Sequence, residues 1–503
     1  MSTATASNLT AATQRHGKGS AAKGSVAIAA QARKDARQSH RQALSYKQDE
    51  LKQFKVPNLT IKDLLSAIPA HCFERSAWKS SMYVLADFIL VGLLATAVTL
   101  VKPAVAQLDL ASSPLTPYIS AEKQASALTW AGWSAYWVLQ GMVFTGIWVI
   151  AHECGHQSYS ASKTINNTVG WFLHSALLVP YHSWRISHAR HHAATGHLTR
   201  DEVFVPRTRA QKGLLPLKAA AAQDAEDETL VAKQLDGLAA TEDTSKDLSA
   251  KQNKPESEET WGEWLVETLE DAPLYNFIFI VVQQLLGWPL YLLQNSSGQL
   301  HYPKSGTNHF NPDAIIFDAR HRSQILISDL GIALALSALG TWTYFRGFGE
   351  VFAYYGIPYL FTNHWLVMIT FLQHTDPVVP HYSSEAWTFP RGALCTVDRK
   401  WLGPVGPYLF HGIAETHVLH HVSSKIPHYH AWEATEALKA RLGEHYQSSD
   451  ENVFISLWKS ISQCKYVEET DAVAFYRNAN GVPQACVAKE HADNSDSGMA
   501  LSE

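Results

Sequence analysis

Cysteine is scarce in this 503-residue chain and poorly placed for structural work. There are five (Cys72, Cys154, Cys395, Cys464, Cys486), an odd number with no CxxC pair, which excludes a disulfide framework and a zinc ribbon. A basic excess is also missing. Lys and Arg number 41 against 46 Asp and Glu, a formal charge of −5, whereas a nucleic-acid partner requires a basic patch or stripe. Residues 1–55, rich in Ala, Ser, Gln, Lys and Arg, contain no apolar stretch of signal-peptide type. They read as a disordered basic tail kept in the cytosol. No fixed-period repeat occurs. What the chain does have is 25 His, 16 Trp and several long apolar runs between polar ends and one polar insert. This composition suits a membrane protein with metal chemistry.

Four runs are long enough to cross a ~30 Å hydrocarbon core: Met82–Val101, Leu128–Ile150, Gln324–Phe345 and Val351–Leu372. Val169–Tyr181 is too short. The run 274–293 has the length, but Gly287-Trp288-Pro289 interrupts it. The loop beyond it carries Lys304, Arg320 and Arg322, which the positive-inside rule keeps in the cytosol. It therefore reads as re-entrant or interfacial, and Ile61–Trp78 as a short interfacial helix. Between Lys212 and Trp261 lies an acidic segment with few aromatics that cannot bury a core. The expected fold is an all-α integral membrane protein. Four transmembrane helices in two hairpins, with interfacial helices, carry a cytosolic helical cap, and both termini are cytosolic. The expected organisation is a tail (1–55), a first hairpin (56–211), a disordered acidic insert (212–260), a second hairpin with the cap (261–480) and a second tail (481–503).

Three histidine clusters stand out: His152-Glu153-Cys154-Gly155-His156, His188-Ala189-Arg190-His191-His192 and His417-Val418-Leu419-His420-His421. On a helix, positions i, i+3 and i+4 share a face, so each cluster aims two or three imidazoles at one point. At one His in twenty, an HxxHH pattern arises by chance only about 0.06 times in a chain of this length. A solvated polar helix face explains one such cluster but not three. In the four-span arrangement all three, with His374 after the last run, fall on the cytosolic side; a fifth crossing would split them. One zinc uses three or four protein ligands, about half this set. Two first-row metals with four or five imidazoles each would use it all, so the natural reading is a diiron centre. HECGH also fits the zinc-protease pattern HExxH with Glu153 as general base, and Asn311-Pro312-Asp313 resembles part of the second motif of intramembrane proteases. That rival lacks the Gly expected at Ala314 and leaves two clusters without work. A metal transporter would need ligands within the spans, which hold little that is ionisable beyond Asp87 and His364; Asp87 reads as snorkelling or capping locally.

These residues resemble the membrane fatty-acid desaturases, and within them the fungal oleoyl Δ12 (omega-6) type. The likeness covers roughly Ile61 to Phe475 outside the acidic insert. It is densest in PAHCFERS (69–76), HECGHQSYSASKTINNTVGW (152–171), VPYHSWRISHARHHAATGH (179–197), GWPLYLLQNSSG (287–298), TFLQHTDP (370–377) and ETHVLHH (415–421). The resemblance implies a mushroom-like helical fold in the endoplasmic reticulum membrane, with a diiron site under a cytosolic cap and a kinked acyl tunnel. The implied ligands are His152, His156, His188, His191, His192, His374, His417, His420 and His421. It also implies O2 as co-substrate, a fatty acyl lipid such as an oleoyl-phospholipid as substrate, and cytochrome b5 with its reductase as electron donors. No haem-binding His-Pro-Gly-Gly occurs in the chain, so that donor is expected to be a separate protein.

Thr370 stands where acyl-CoA desaturases have Asn, leaving that coordination position to water or to nothing. Carboxylates that would orient the imidazoles through their other ring N–H are Glu153, Asp201, Glu202 and Glu415. His174, His182, His197, His411, His428 and His430 lack convergent spacing and read as satisfied structural histidines. Glu153, where many plant omega-3 enzymes have Asp, favours the Δ12 outcome; a Δ15 desaturase or an acyl hydroxylase is the alternative.

Overall fold

The computed structural model describes residues 50–214 and 273–488 apart from Trp401. Most of both expected tails and of the acidic insert lie outside the described residues. The chain enters through a short helix, Ile61–Leu65, capped reciprocally by Thr60 and Asp63, and a 3-10 turn, Ala70–Phe73. The long helices α1 (Ala77–Ala106) and α2 (Ala121–Gly155) follow, then α3 (Lys163–Ala176) and α4 (Tyr181–Ala194). Beyond the insert come α5 (Pro273–Gln294), α6 (Arg322–Arg346) and α7 (Ile357–His374). The helices α8 (His417–Val422), α9 (His428–Leu442) and α10 (Val453–Gln463) come after them. Strand structure among the described residues is confined to pairs of two or three residues, so the fold is all-α in character.

Among the described residues, four helices are long and apolar enough to cross a membrane: Ala77–Ala106, Ala121–Gly155, Pro273–Gln294 and Ala319–Arg346. Three contain runs expected to span; the other differs from expectation. Helix α5 continues through Gly287-Trp288-Pro289. A proline in a helix deprives the carbonyl four residues back of its donor, and that carbonyl, Leu285 O, accepts instead from Asn363 Nδ2 at 3.3 Å. The run Val351–Leu372, in contrast, is divided by a π-helical turn, Phe352–Gly356. There Ile357 N–H bonds back to Phe352 O, and Pro358 has no N–H for Tyr354 O. The two carbonyls so released are satisfied from α2: Trp137 Nε1 donates to Ala353 O and Tyr136 OH to Tyr354 O, both at 2.9 Å. Gly141 makes this close approach possible, since a Cβ there would collide with Phe361 of α7.

Helix α2 is central, with 67% of its apolar window buried against 11% for α1. At 1.5 Å per residue its 35 residues reach about 50 Å, well beyond a ~30 Å core, so its C-terminal turns can carry side chains out of the apolar layer. Its Trp148 and Ile150 belong to one apolar core with Trp184, Trp288, Leu366 and Met368.

A second core forms where Leu64, Ile68 and Cys72 pack on Val418, Leu419 and Leu438. The segment Ile61–Trp78 is thus not one interfacial helix. Pro69 breaks it, and its apolar side turns toward α8 and α9. The tail boundaries shift as well, because Lys52–Phe54 pairs in parallel with Ala485–Val487, drawing residues on the tail side of positions 55 and 481 into the fold.

One buried cation fixes the end of α7. Arg399 is 1% exposed; it donates to Leu372 O at 2.9 Å, to Ser456 Oγ at 3.0 Å and to Asp376 Oδ2 at 2.5 Å. Removing one partner of such a pair strands the other in a poor dielectric. Arg399→Met is expected to destabilise the fold by about 3 kcal/mol, read as a lowered thermal midpoint in detergent; an unchanged midpoint would refute the anchor.

Candidate metal centre

Four elements meet at the C-terminal end of α2. The end of α2 presents His152 and His156, α4 presents His188, His191 and His192, the last residue of α7 is His374, and α8 presents His417, His420 and His421. All nine come together, in two groups. Ring nitrogens of His152, His156, His188, His192 and His420 lie within 4.8 Å of one another, as do those of His191, His374 and His421. His417 joins the second group, its Nε2 3.0 Å from that of His374. The stacked rings of His192 and His421, 4.0 Å apart, link the two groups.

Within the first group, Nε2 of His188 lies 3.0 Å from that of His152 and 3.1 Å from that of His192, and the Nε2 atoms of His152 and His156 are 3.2 Å apart. Two imidazoles bound at right angles to one ion at ~2.1 Å would have nitrogens about 3.0 Å apart. Burial holds the His188, His192, His420 and His421 imidazoles well below their usual range, with neighbouring imidazoles adding to the effect, and brings His417 down to about 3. They are neutral at pH 7 and can offer lone pairs. His420 Nε2 and His421 Nε2 are buried with no hydrogen-bond partner among the described residues, as donors aimed at a metal should be. The donor set fits imidazole-binding first-row metals.

Of the four carboxylates expected to orient imidazoles, Asp201 does so: its Oδ1 accepts from His191 Nδ1 at 2.6 Å, while Gly196 N–H fixes its Oδ2 at 2.9 Å. That contact leaves His191 Nε2 as the coordinating atom. Glu153 points elsewhere, accepting from Ser158 Oγ and from His428 N–H, each at 3.0 Å. Glu202 accepts from Tyr302 OH at 3.1 Å. Glu415 is buried ahead of α8. One orienting group escaped the sequence: Thr195 Oγ1 donates to His191 O and sits 3.1 Å from His421 Nδ1. Asp201→Asn keeps the shape but loses the charge. It is expected to weaken metal retention or turnover about 10- to 100-fold, measured as bound metal per chain and product per chain; wild-type values for both would exclude the role.

The protease reading fails on this geometry. Both contacts turn Glu153 away from the imidazoles, and Asp313, 75% exposed, pairs with Arg322 at 2.7 Å. Asp87 does not snorkel; it is buried and 2.9 Å from His411 Nε2. His428 is likewise tied to Glu153. His174 is buried and walled by Trp148, Tyr181 and Trp184.

A cavity of about 590 Å³ opens directly onto His152, His188, His191, His374 and His417, within the size range of small-molecule sites. Its walls are chiefly apolar, with Trp148, Trp184, Trp288, Val367, Phe371 and Ile461 prominent, while Arg207, Lys212 and Lys465 also border it. Thr370 lines it too, but its hydroxyl bonds back to Leu366 O at 3.0 Å.

The fatty acid desaturase family model matches residues 129–222 and 240–451. A Delta(12) fatty acid desaturase of Mortierella isabellina is 46% identical over 426 residues, covering 85% of this chain and 92% of that one. The corresponding enzyme of Mortierella alpina is 45% identical over the same shares. An oleate hydroxylase of Claviceps purpurea is 39% identical, over 85% of this chain and 82% of its own. With that extent of likeness and a histidine centre facing an apolar cavity, the chain belongs to the fatty acid desaturase family.

Proposed function

We propose that this chain is an acyl-lipid Δ12 desaturase of the endoplasmic reticulum, converting oleoyl to linoleoyl chains with two iron ions held by the nine histidines. The observation that carries this reading is the division of the imidazoles into groups of five and four, with His152 and His188 of the first and His191, His374 and His417 of the second facing an apolar cavity. Iron there would supply reductive activation of O2, so that two hydrogens leave adjacent methylenes and, with two electrons and two protons, O2 ends as two waters. An unactivated methylene has no acidic proton, so the protein's own part is positioning and exclusion of water. Apolar walls hold the chain, and the tightly spaced imidazoles fix where a reacting carbon pair must lie.

The relatives are named for Δ12 chemistry, which favours that position over Δ15. Arg207 and Lys465, basic groups beside the cavity, favour an anionic lipid head group, hence an oleoyl-phospholipid. Electrons would come from cytochrome b5 and its reductase.

For topology we favour crossings by α1, α2, α6 and the helical stretch from Phe348 through α7, with α5 re-entrant. Both ends of α5 are tied to the cap side: Asn276 lies 3.4 Å from Lys465 Nζ, and Leu292 O accepts from His309 N at 2.9 Å. An even number of crossings between His192 and His374 also suits their shared site. The centre and both termini would then be cytosolic, with one hairpin in 56–211, the other in 261–480 and the acidic insert (212–260) between them.

Expression in a yeast that makes oleate but no linoleate tests this. The expected result is 18:2 with double bonds at carbons 9 and 12, and about two irons per purified chain. Formation of 18:3 only on feeding linoleate would make it a Δ15 enzyme, and a 12-hydroxy acid as main product a hydroxylase.

A further inference from the structure

A second group of ligand-type side chains lies outside the histidine centre. The 3-10 turn Ala70–Phe73 presents His71 and Cys72 to the first turns of α9, where His430 and Glu433, three residues apart, share a face. One ligand atom from each of the four lies within 4.8 Å of all the others. His71 Nε2 is 2.9 Å from Glu433 Oε1 and 3.8 Å from Cys72 Sγ. The His71 and His430 rings meet edge to face, with centroids 5.8 Å apart. Exposure is graded: Cys72 is fully buried, His430 half-buried, and His71 and Glu433 open to solvent. The group is a shallow cup with a thiol at its base.

We propose that His71, Cys72, His430 and Glu433 form a zinc site, separate from the histidine centre, that clips the segment leading into α1 to the helix that follows the third histidine cluster.

The donor chemistry selects the ion. A thiolate, two imidazoles and one carboxylate suit zinc, whereas magnesium and calcium favour oxygen alone. With Zn–S ~2.3 Å and Zn–N or Zn–O ~2.0–2.1 Å, a tetrahedron has edges of about 3.3 Å between light donors and 3.5 Å from sulfur to nitrogen. The separations of 2.9 and 3.8 Å bracket these values. As the Zn–S bond forms, the Cys72 S–H bond breaks and its proton goes to solvent. Thiolate and carboxylate then balance the 2+ ion, so no net charge is left against the buried base. The bland alternative, an exposed His71–Glu433 ion pair above an apolar cysteine, would contribute little and requires neither sulfur nor His430. Mechanically, the clip would join two elements that already share the apolar core of Leu64, Ile68, Leu419 and Leu438, bracing α9 beside α8.

Cobalt(II) titration of the purified full-length protein in detergent tests the site. The expected result is one equivalent of tetrahedral cobalt with a sulfur-to-metal charge-transfer band, bleached by zinc and absent in Cys72→Ser. No such band in the wild type, or a band that persists in Cys72→Ser, would overturn the proposal. Should Cys72→Ser fail to fold, zinc affinity in Glu433→Gln and His430→Ala, changed at more accessible positions, decides the matter. Each should bind at least tenfold more weakly, and wild-type affinity in both would refute the site. The readout is spectroscopic, so its outcome is independent of whether the Δ12 reading holds.

Discussion

His420→Ala should leave a folded protein that makes no detectable 18:2 and retains about one iron per chain. His420 closes the group of five, its ring 4.6 Å from that of His152 and 4.7 Å from those of both His156 and His192. Its Nε2 has no protein partner among the described residues, so truncation strands no neighbouring donor and the cost falls on metal binding rather than on folding. The first group would drop to four imidazoles, with an opening where the fifth had fixed the geometry. The other group, His191, His374, His417 and His421, keeps all of its ligands. A reaction that needs both ions should then fall by at least ~1,000-fold, about 4 kcal/mol of barrier. Iron analysis and fatty-acid profiling of the same preparation check this, with circular dichroism to confirm the helices. Two irons and undiminished 18:2 would remove His420 from the centre.

The convergence of the imidazoles was legible in sequence because their spacing obeys a local rule. Spacings of three and four residues converge on any helix, whatever the helix packs against. The choice among four orienting carboxylates was not legible. Glu153 adjoins a ligand in sequence, yet consecutive helix residues diverge by about 100°, and its oxygens go to Ser158 and His428 instead. Asp201 works because a turn after α4 folds back onto His191, and that is tertiary information. The same cause explains α5. Gly287-Trp288-Pro289 reads as a break until Asn363, 78 residues away, supplies the donor that Pro289 withholds from Leu285 O. Long-range partners also account for Asp87, which has a buried histidine available, and for Arg399, which no motif announced. Sequence showed which imidazoles would converge; what holds and points them depended on contacts distant in the chain.

Tunnel depth was equally hidden, and it governs the other large expected effect. Thr145 lines the cavity and is fully buried. It lies two turns before His152 on α2, about 10 Å deeper along the helix. Leu366, two turns before His374 on α7, also lines the cavity, so the two helices confine the same inner end. An acyl chain entering past Arg207 and Lys465 would place its methyl terminus there, and the distance from that end to the imidazoles would decide which carbon pair reacts. Thr145→Phe fills part of the inner end and is expected to lower turnover of 18-carbon chains 10- to 200-fold, since one or two methylenes in an apolar pocket are worth about 1–3 kcal/mol. Chains of 16 carbons should lose much less, and the ratio of 16:2 to 18:2 in the host's lipids should rise at least tenfold. Iron content should stay at the wild-type level, because Thr145 touches no imidazole of the centre. Equal losses for both chain lengths with iron intact would mean that the inner end of this cavity does not measure the substrate.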